Sequence, residues 1–165
     1  MTNEEDNMNR IVWLIGVPIV SLLVLVVVFL LGMRFKIPPV VDTVRRLNRA
    51  YTNPKQMRTA GQPGAYAAVL HHVGRKSGTQ YRTPIGVAPY ENGFVVNLTY
   101  GPDTDWALNL MAAGSATLTY EGETITVDAP NIVPVDTISH AFSVSDRRTQ
   151  KLFGVAECLV MHRVD

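Results

Sequence analysis

Residues 11–31 carry no charged side chain, and Val, Leu and Ile make up most of the stretch. No other property of the chain restricts its folding so strongly. At ~1.5 Å per residue a helix of this length reaches about 30 Å, the thickness of a bilayer's hydrocarbon core. Within that core a lone segment satisfies its backbone polar groups only as a helix. Pro18 sits near the start, where a missing N–H costs least. A cleaved leader is the competing reading, but it would have a shorter apolar region, a basic amino end and a small-residue cleavage site. Here Glu4, Glu5 and Asp6 precede the stretch, and Gly32-Met33-Arg34-Phe35-Lys36 follows it. The expectation is an acidic tail over 1–10, an uncleaved transmembrane helix over 11–31, and a folded body beyond.

Flanking charge sets the expected orientation. Arg10 stands alone before the span, whereas Arg34, Lys36, Arg45, Arg46 and Arg49 follow it. Basic residues are retained on the cytoplasmic side, so the body is expected in the cytoplasm of a single-pass membrane protein. The same cations suit anionic membrane lipids as partners. A formal net charge of +1 gives no reason to propose nucleic acid. Cys158 is the only cysteine, which rules out an intrachain disulfide and agrees with a reducing compartment.

After the span, Pro38 and Pro39 read as a stiff break. Val41, Val44, Leu47 and Tyr51 then fall at helical spacing, with Arg45, Arg46 and Arg49 on the other side. Residues 51–64, rich in Asn, Pro, Gly and Gln, read as a connector, so 32–64 forms a juxtamembrane helix and linker. From residue 65 to 165 the pattern shortens to strands, expected at 67–73, 81–90, 93–99, 116–120, 124–129 and within 154–163. Hairpin signals lie at 74–78, 91–93 and 121–123. One helix is expected over 103–113, closed by Gly114, and another around 135–146. Short antiparallel strands with two covering helices predict an α+β fold built on one small barrel.

The barrel's most distinctive stretch is His72-Val73-Gly74-Arg75-Lys76-Ser77-Gly78-Thr79-Gln80-Tyr81-Arg82-Thr83-Pro84-Ile85. Glycines at 74 and 78 permit a positive φ, which lets the intervening N–H groups converge on an anion. Arg75, Lys76, Ser77 and Arg82 would add charge and donors for a phosphate or clustered carboxylates. The plain alternative is a solvated hairpin turn. His71 and His72 are adjacent in a strand and point to opposite faces, so they cannot share a metal, and no close ligand spacing joins His140, His162 and Cys158. No metal is therefore expected. The nucleophile-elbow, dinucleotide and phosphate-loop glycine patterns are absent as well. Asp103 and Asp105 suit the cap and dipole of the helix they open.

Three segments together resemble the deazaflavin-dependent nitroreductase family, quinone reductases that use reduced coenzyme F420. They are the run from Val69 through Gly78 to Arg82-Thr83-Pro84-Ile85, then Gly93-Phe94-Val95-Val96-Asn97-Leu98-Thr99-Tyr100-Gly101, then Asp105-Trp106-Ala107-Leu108-Asn109-Leu110-Met111-Ala112. They cover about half the chain.

The resemblance implies a split β-barrel related to flavin-binding proteins. It implies that Arg75, Lys76 and Ser77 hold the phosphate and oligoglutamate carboxylates of the coenzyme, with Arg82, Thr83 and Pro84 beside the phosphate and polyol. Asn97, Leu98, Thr99 and Tyr100 would line the deazaflavin ring, Trp106 would shape the pocket, and Asn109 would brace its helix. The chain departs from the family at Tyr100, where a lysine is frequent, and at Thr104, where a proline is. The substrate-side tyrosines have no counterpart between residues 140 and 153, which offer Phe142, Phe153, Ser139, Ser143 and Ser145 instead. Nitro-drug reduction is therefore not expected. The expected reaction is hydride transfer to a quinone-like or other lipophilic acceptor, with a proton from water, Thr99, Tyr100 or Ser143. Two alternatives stay open: a non-catalytic deazaflavin- or lipid-binding module, and an FMN enzyme of the same fold. A homodimer or a partner within a membrane complex also stays open.

Overall fold

The structure, a computed structural model, describes residue 10 and residues 12–164; of the acidic tail, only Arg10 falls among them. Helix α1 (Val17–Arg34) follows a wider-pitched turn over Val12–Gly16, with Pro18 in its first turn. The segment Trp13–Arg34 is long and apolar enough to cross a membrane, with a mean hydropathy of 3.2 over a window none of which is buried.

Helix α2 (Pro38–Leu47) begins on the two prolines read as a break. Proline's fixed φ and missing N–H suit a helix's first turn, so Pro38 and Pro39 start the helix where the spacing alone placed its beginning at Val41. Helical backbone then continues through Asn48–Thr52 into α3 (Asn53–Gln56), with Pro54 again in a first turn. The first six of the fourteen connector residues, 51–56, are therefore helical.

Seven antiparallel strands follow: β1 (Ala68–Val73), β2 (Gln80–Ile85), β3 (Val87–Tyr90), β4 (Gly93–Asn97), β5 (Ser115–Tyr120), β6 (Glu123–Pro134) and β7 (Glu157–Val164). They form one sheet in the order β2-β1-β5-β6-β7-β4-β3. The two edge strands, β2 and β3, are separated in sequence only by Gly86. The sheet therefore has to curl until its edges meet along one bent stretch of chain, and a split β-barrel results. The sequence reads 81–90 as a single strand because no hydrophobic break marks Gly86.

Strand β6 is longer than expected. The β6–β7 register slips between Asp128 and Asn131, and Ala129 takes a φ of 45°. This bulge absorbs Pro130, which reads locally as a strand end.

Alternate residues of the strands serve two cores. Leu70, Phe94, Val96, Leu118, Val127, Leu159 and Met161 fill the barrel, where Ala107 and Leu110 of α4 (Asp105–Ala113) join them. On the other face Val95, Cys158 and Val160 meet Val135, Ile138 and Phe142. Both faces of β4 and β7 are thus buried, which is why these strands read as continuous apolar runs. Burial also holds the Cys158 thiol up at about 11, with Glu157 adding to the shift.

The second helical region divides into a short tight turn, Val135–Ala141, and α5 (Val144–Phe153), where one helix around 135–146 was expected. Ser143 separates them. Its hydroxyl accepts from the Asp146 N–H at 3.1 Å and starts α5 afresh.

Candidate functional site

The ends of β2 and β4, the start of α4 and the start of α5 surround a cleft of about 620 Å³. The size falls within the usual range for small-molecule and cofactor sites. The three segments carrying the family resemblance converge on it. Pro84 comes from the first, Asn97, Leu98, Thr99 and Tyr100 from the second, and Trp106 from the third. Phe142, Ser143 and Ser145 line it as well, whereas Ser139 and Phe153 do not. Phe153 instead meets Phe29 of α1 edge to face, with ring centroids 6.2 Å apart.

One wall is unforeseen. Asn48, Thr52, Asn53 and Gln56 reach the cleft from the helical stretch after α2. Asn48 Nδ2 donates to the Tyr100 hydroxyl at 2.6 Å. Arg45 donates to the Tyr100 carbonyl and, at 2.6 Å, to Asp103 Oδ1. The hydrogen bond from Arg45 is the main reason the Asp103 carboxyl lies below its ordinary range. Lys36 Nζ donates to the Thr99 carbonyl at 2.8 Å and to the Phe153 carbonyl at 2.9 Å, and burial lowers its pKa. The composition of 51–64 hid this wall because polar residues facing a cleft look the same in sequence as polar residues facing solvent. The prolines, taken as first-turn residues, were the available signal.

The basic loop lies outside the ring of residues lining the cleft. Its backbone is partly committed, since Gly74 N donates to Thr79 O, Gly78 N to Gly74 O, and Ser77 Oγ accepts from Thr79 N. Gly78 has a φ of 67°. Gly74 answers a different need: a Cβ there would lie 2.6 Å from Ser77 Oγ. Lys76, Ser77 and Arg82 are exposed, and Thr83 is half-buried.

Arg75 is braced. Its N–H and guanidinium both donate to Asn109 Oδ1, at 3.1 and 2.9 Å, and it pairs with Asp105 at 3.4 Å. Asn109 Nδ2 lies 3.1 Å from His72 Nδ1, and His72 Nε2 lies 3.0 Å from Thr83 Oγ1. With Nδ1 accepting from the amide, Nε2–H donates to Thr83, which assigns the neutral imidazole. Burial, opposed by Asp105, lowers the His72 pKa in the same sense. This chain of contacts holds the loop, α4 and β2 in register, and Asn109 is its centre.

Several polar residues line the cleft. Thr104 is 8% exposed, and its Oγ1 has no hydrogen-bond partner among the described residues. Ser143 Oγ donates to Asp146 Oδ2 at 2.6 Å, so its proton is directed to a carboxylate. Asn97 Oδ1 accepts from Gln150 Nε2 at 2.8 Å and ties α5 to the end of β4. Tyr66, just before β1, adds a phenol that the sequence reading did not single out. Its ring is largely exposed, but desolvation, then Asp146 and Tyr100, raise its pKa. It therefore keeps its proton at neutral pH.

The sequence matches no protein-family model and no curated protein. Among solved structures, the neighbours include F420-H2 dependent reductases. An F420-H2 dependent reductase is 12% identical over 59% of this chain and 94% of its own, with a TM-score of 0.44. An F420 reductase is 10% identical over 66% and 92%, with a TM-score of 0.41. A domain-swapped dimer is 13% identical over 73% and 98%, with a TM-score of 0.48.

Proposed function

We propose that this chain is a membrane-anchored oxidoreductase that passes a hydride from reduced coenzyme F420 to a quinone-like or other lipophilic acceptor on the cytoplasmic side. The observation that carries the reading is the convergence of all three family-like segments on one cleft.

The residues present fit a flat, polar-edged ring. Leu98 and Trp106 supply apolar surface, while Asn97, Thr99 and Tyr100 supply edge contacts. Arg75, Lys76, Ser77, Arg82 and Thr83 would carry the anionic tail beyond the cleft, with Pro84 beside the polyol at its edge. When bound, the reduced deazaflavin supplies the hydride. The protein's part is to hold the acceptor close, keep water out and deliver a proton to the reduced product. Tyr66, Tyr100 and Thr99 are the hydroxyls placed to deliver it, with Ser143 acting only through Asp146.

The stem supports this acceptor class. Lys36 joins the backbone of Thr99, a cleft residue, to the segment immediately after α1. A span placed in a bilayer would hold the cleft beside membrane-dissolved substrates and raise their local concentration. Membrane quinones fit that arrangement.

The test is a titration of the full-length protein in lipid nanodiscs with F420 and with FMN, followed by turnover. F420 should bind in preference to FMN, and its reduced form should be oxidised faster by a long-tailed quinone than by a nitroimidazole. Arg82→Ala should weaken F420 binding about ten-fold or more, the size of one charge-assisted contact, with an unchanged melting temperature. Preferential FMN binding, or F420 binding without oxidation by any quinone, would overturn the reading.

A further inference from the structure

Beside α1, a second cavity of about 450 Å³ is lined by Leu30, Leu31 and Arg34 of α1 and by Arg148, Lys151 and Leu152 of α5. It lies outside the cleft described above and shares no residue with it. We propose that it is a binding site for an anionic glycerophospholipid, with an acyl chain against the three leucines and the phosphate against the three cations.

The site is built by docking α5 on the end of the span. Arg34 Nη1 donates to the Lys151 carbonyl, and Phe29 meets Phe153. Gly154 ends α5 with a φ of 58°, and a Cβ there would lie 2.6 Å from the Arg34 carbonyl, so the approach requires glycine. The docking places Arg148 and Lys151, one helical turn apart, next to the basic end of α1. None of the three cations takes part in an ion pair among the described residues. Like charges gathered without a carboxylate repel one another unless an anion joins them.

Depth selects the anion's source. Leu30 and Leu31 belong to the apolar span and Arg34 terminates it, so the cavity crosses from acyl-chain level to headgroup level. Leu152 is half exposed on the same surface. A free phosphate would satisfy the cations and leave the leucines in water, whereas a phospholipid covers both. Basic pockets at the cytoplasmic ends of membrane helices suit acidic headgroups on the same grounds.

The proposal rests on the membrane-spanning reading of α1, which is checked separately by partitioning of the full chain into detergent micelles. The test itself is native mass spectrometry of the full-length protein released from micelles after titration with phosphatidylglycerol or phosphatidylcholine of matched chains. Phosphatidylglycerol should be retained at least ten-fold more strongly. Arg148→Gln with Lys151→Gln should remove about thirty-fold of that affinity, from roughly ten-fold or less per cation. Arg147→Gln, which removes a charge from the same helix outside the cavity, should leave it unchanged. Inorganic phosphate at millimolar concentration should not displace the lipid. Equal retention of the two lipids by the unmodified protein overturns the proposal. So does an equal loss in the Arg147 variant, which marks diffuse attraction, and so does displacement by phosphate, which marks a simple anion site. Thermal melts of the variants, with Arg148 and Lys151 exposed and Arg147 half-buried, separate a lost site from a lost fold.

Discussion

At the scale of single residues, His72 shows how a side chain that performs no chemistry can govern a site. Its two nitrogens join Asn109 to Thr83, and Asn109 in turn holds Arg75. A proton on Nδ1 would set two donors facing each other, so the contact survives only with a neutral ring. Because burial places the folded pKa below the ordinary 6.5, the unfolded chain binds the proton more readily. Stability should therefore fall as pH drops from about 6.5 towards the folded value, and level off below it. Thermal melts between pH 8 and pH 5 should show this loss, and His72→Gln should flatten it. His71, also lowered by burial and by Arg82, should leave a residual slope. An identical pH dependence in the variant would show that the imidazole does not report the network.

Among the elements, the loop after β4 is held from three directions, by Lys36, Arg45 and Asn48. Lys36 bears the most geometric constraint. It adopts a φ of 53°, uncommon for a residue with a side chain, and its ammonium joins the carbonyls of Thr99 and Phe153. Lys36→Met should lower the stability of the full-length protein in micelles by about 1–2 kcal/mol, after discounting two charge-assisted bonds for partial exposure. A chemical-denaturation midpoint equal to that of the unmodified protein would show that the clamp contributes nothing. Asn97 and Gln150 make the equivalent tie between β4 and α5. Hairpin turns, the Gly114 end of α4 and the apolar runs of β4 and β7 were legible from local spacing, whereas α4 opens at Thr104 without a side-chain cap and Asp103 pairs with Arg45 instead. The start of α5 was not legible, because the apolar pattern runs across residues 135–146 while the Ser143 cap interrupts it.

For the whole molecule, the apolar helix α1, the helices after it and the barrel are mutually dependent. Met33 and Val41 are buried, and Gly61 both donates to Ala67 O and accepts from Gly122 N. A fragment covering 32–165 should therefore melt well above one covering 65–165, by about 10 °C or more, since a few kcal/mol of buried contact shift a domain of this size by that amount. The shorter fragment should also lose affinity for F420 along with the wall formed by Asn48, Thr52, Asn53 and Gln56. Equal melting and equal binding would show that 32–64 is a passive linker.

By itself the sequence determined the properties that depend on near neighbours. These are an apolar helix ended by basic residues, hairpins at glycine-containing turns, short strands between them, and three segments resembling deazaflavin enzymes. Each rests on spacing along a few turns or a few residues of strand. Tertiary structure alone decided that Gly86 divides a strand so that the sheet's two edges meet, that a bulge carries β6 past Pro130, and that the polar residues of 48–56 face a cleft. It also decided that Arg75 is braced by Asn109, and that α5 docks on the end of α1 beside three cations with no ion pair among the described residues. These outcomes depend on contacts between residues far apart in the chain, and a polar side chain carries no local mark of whether solvent, a ligand or another strand will face it.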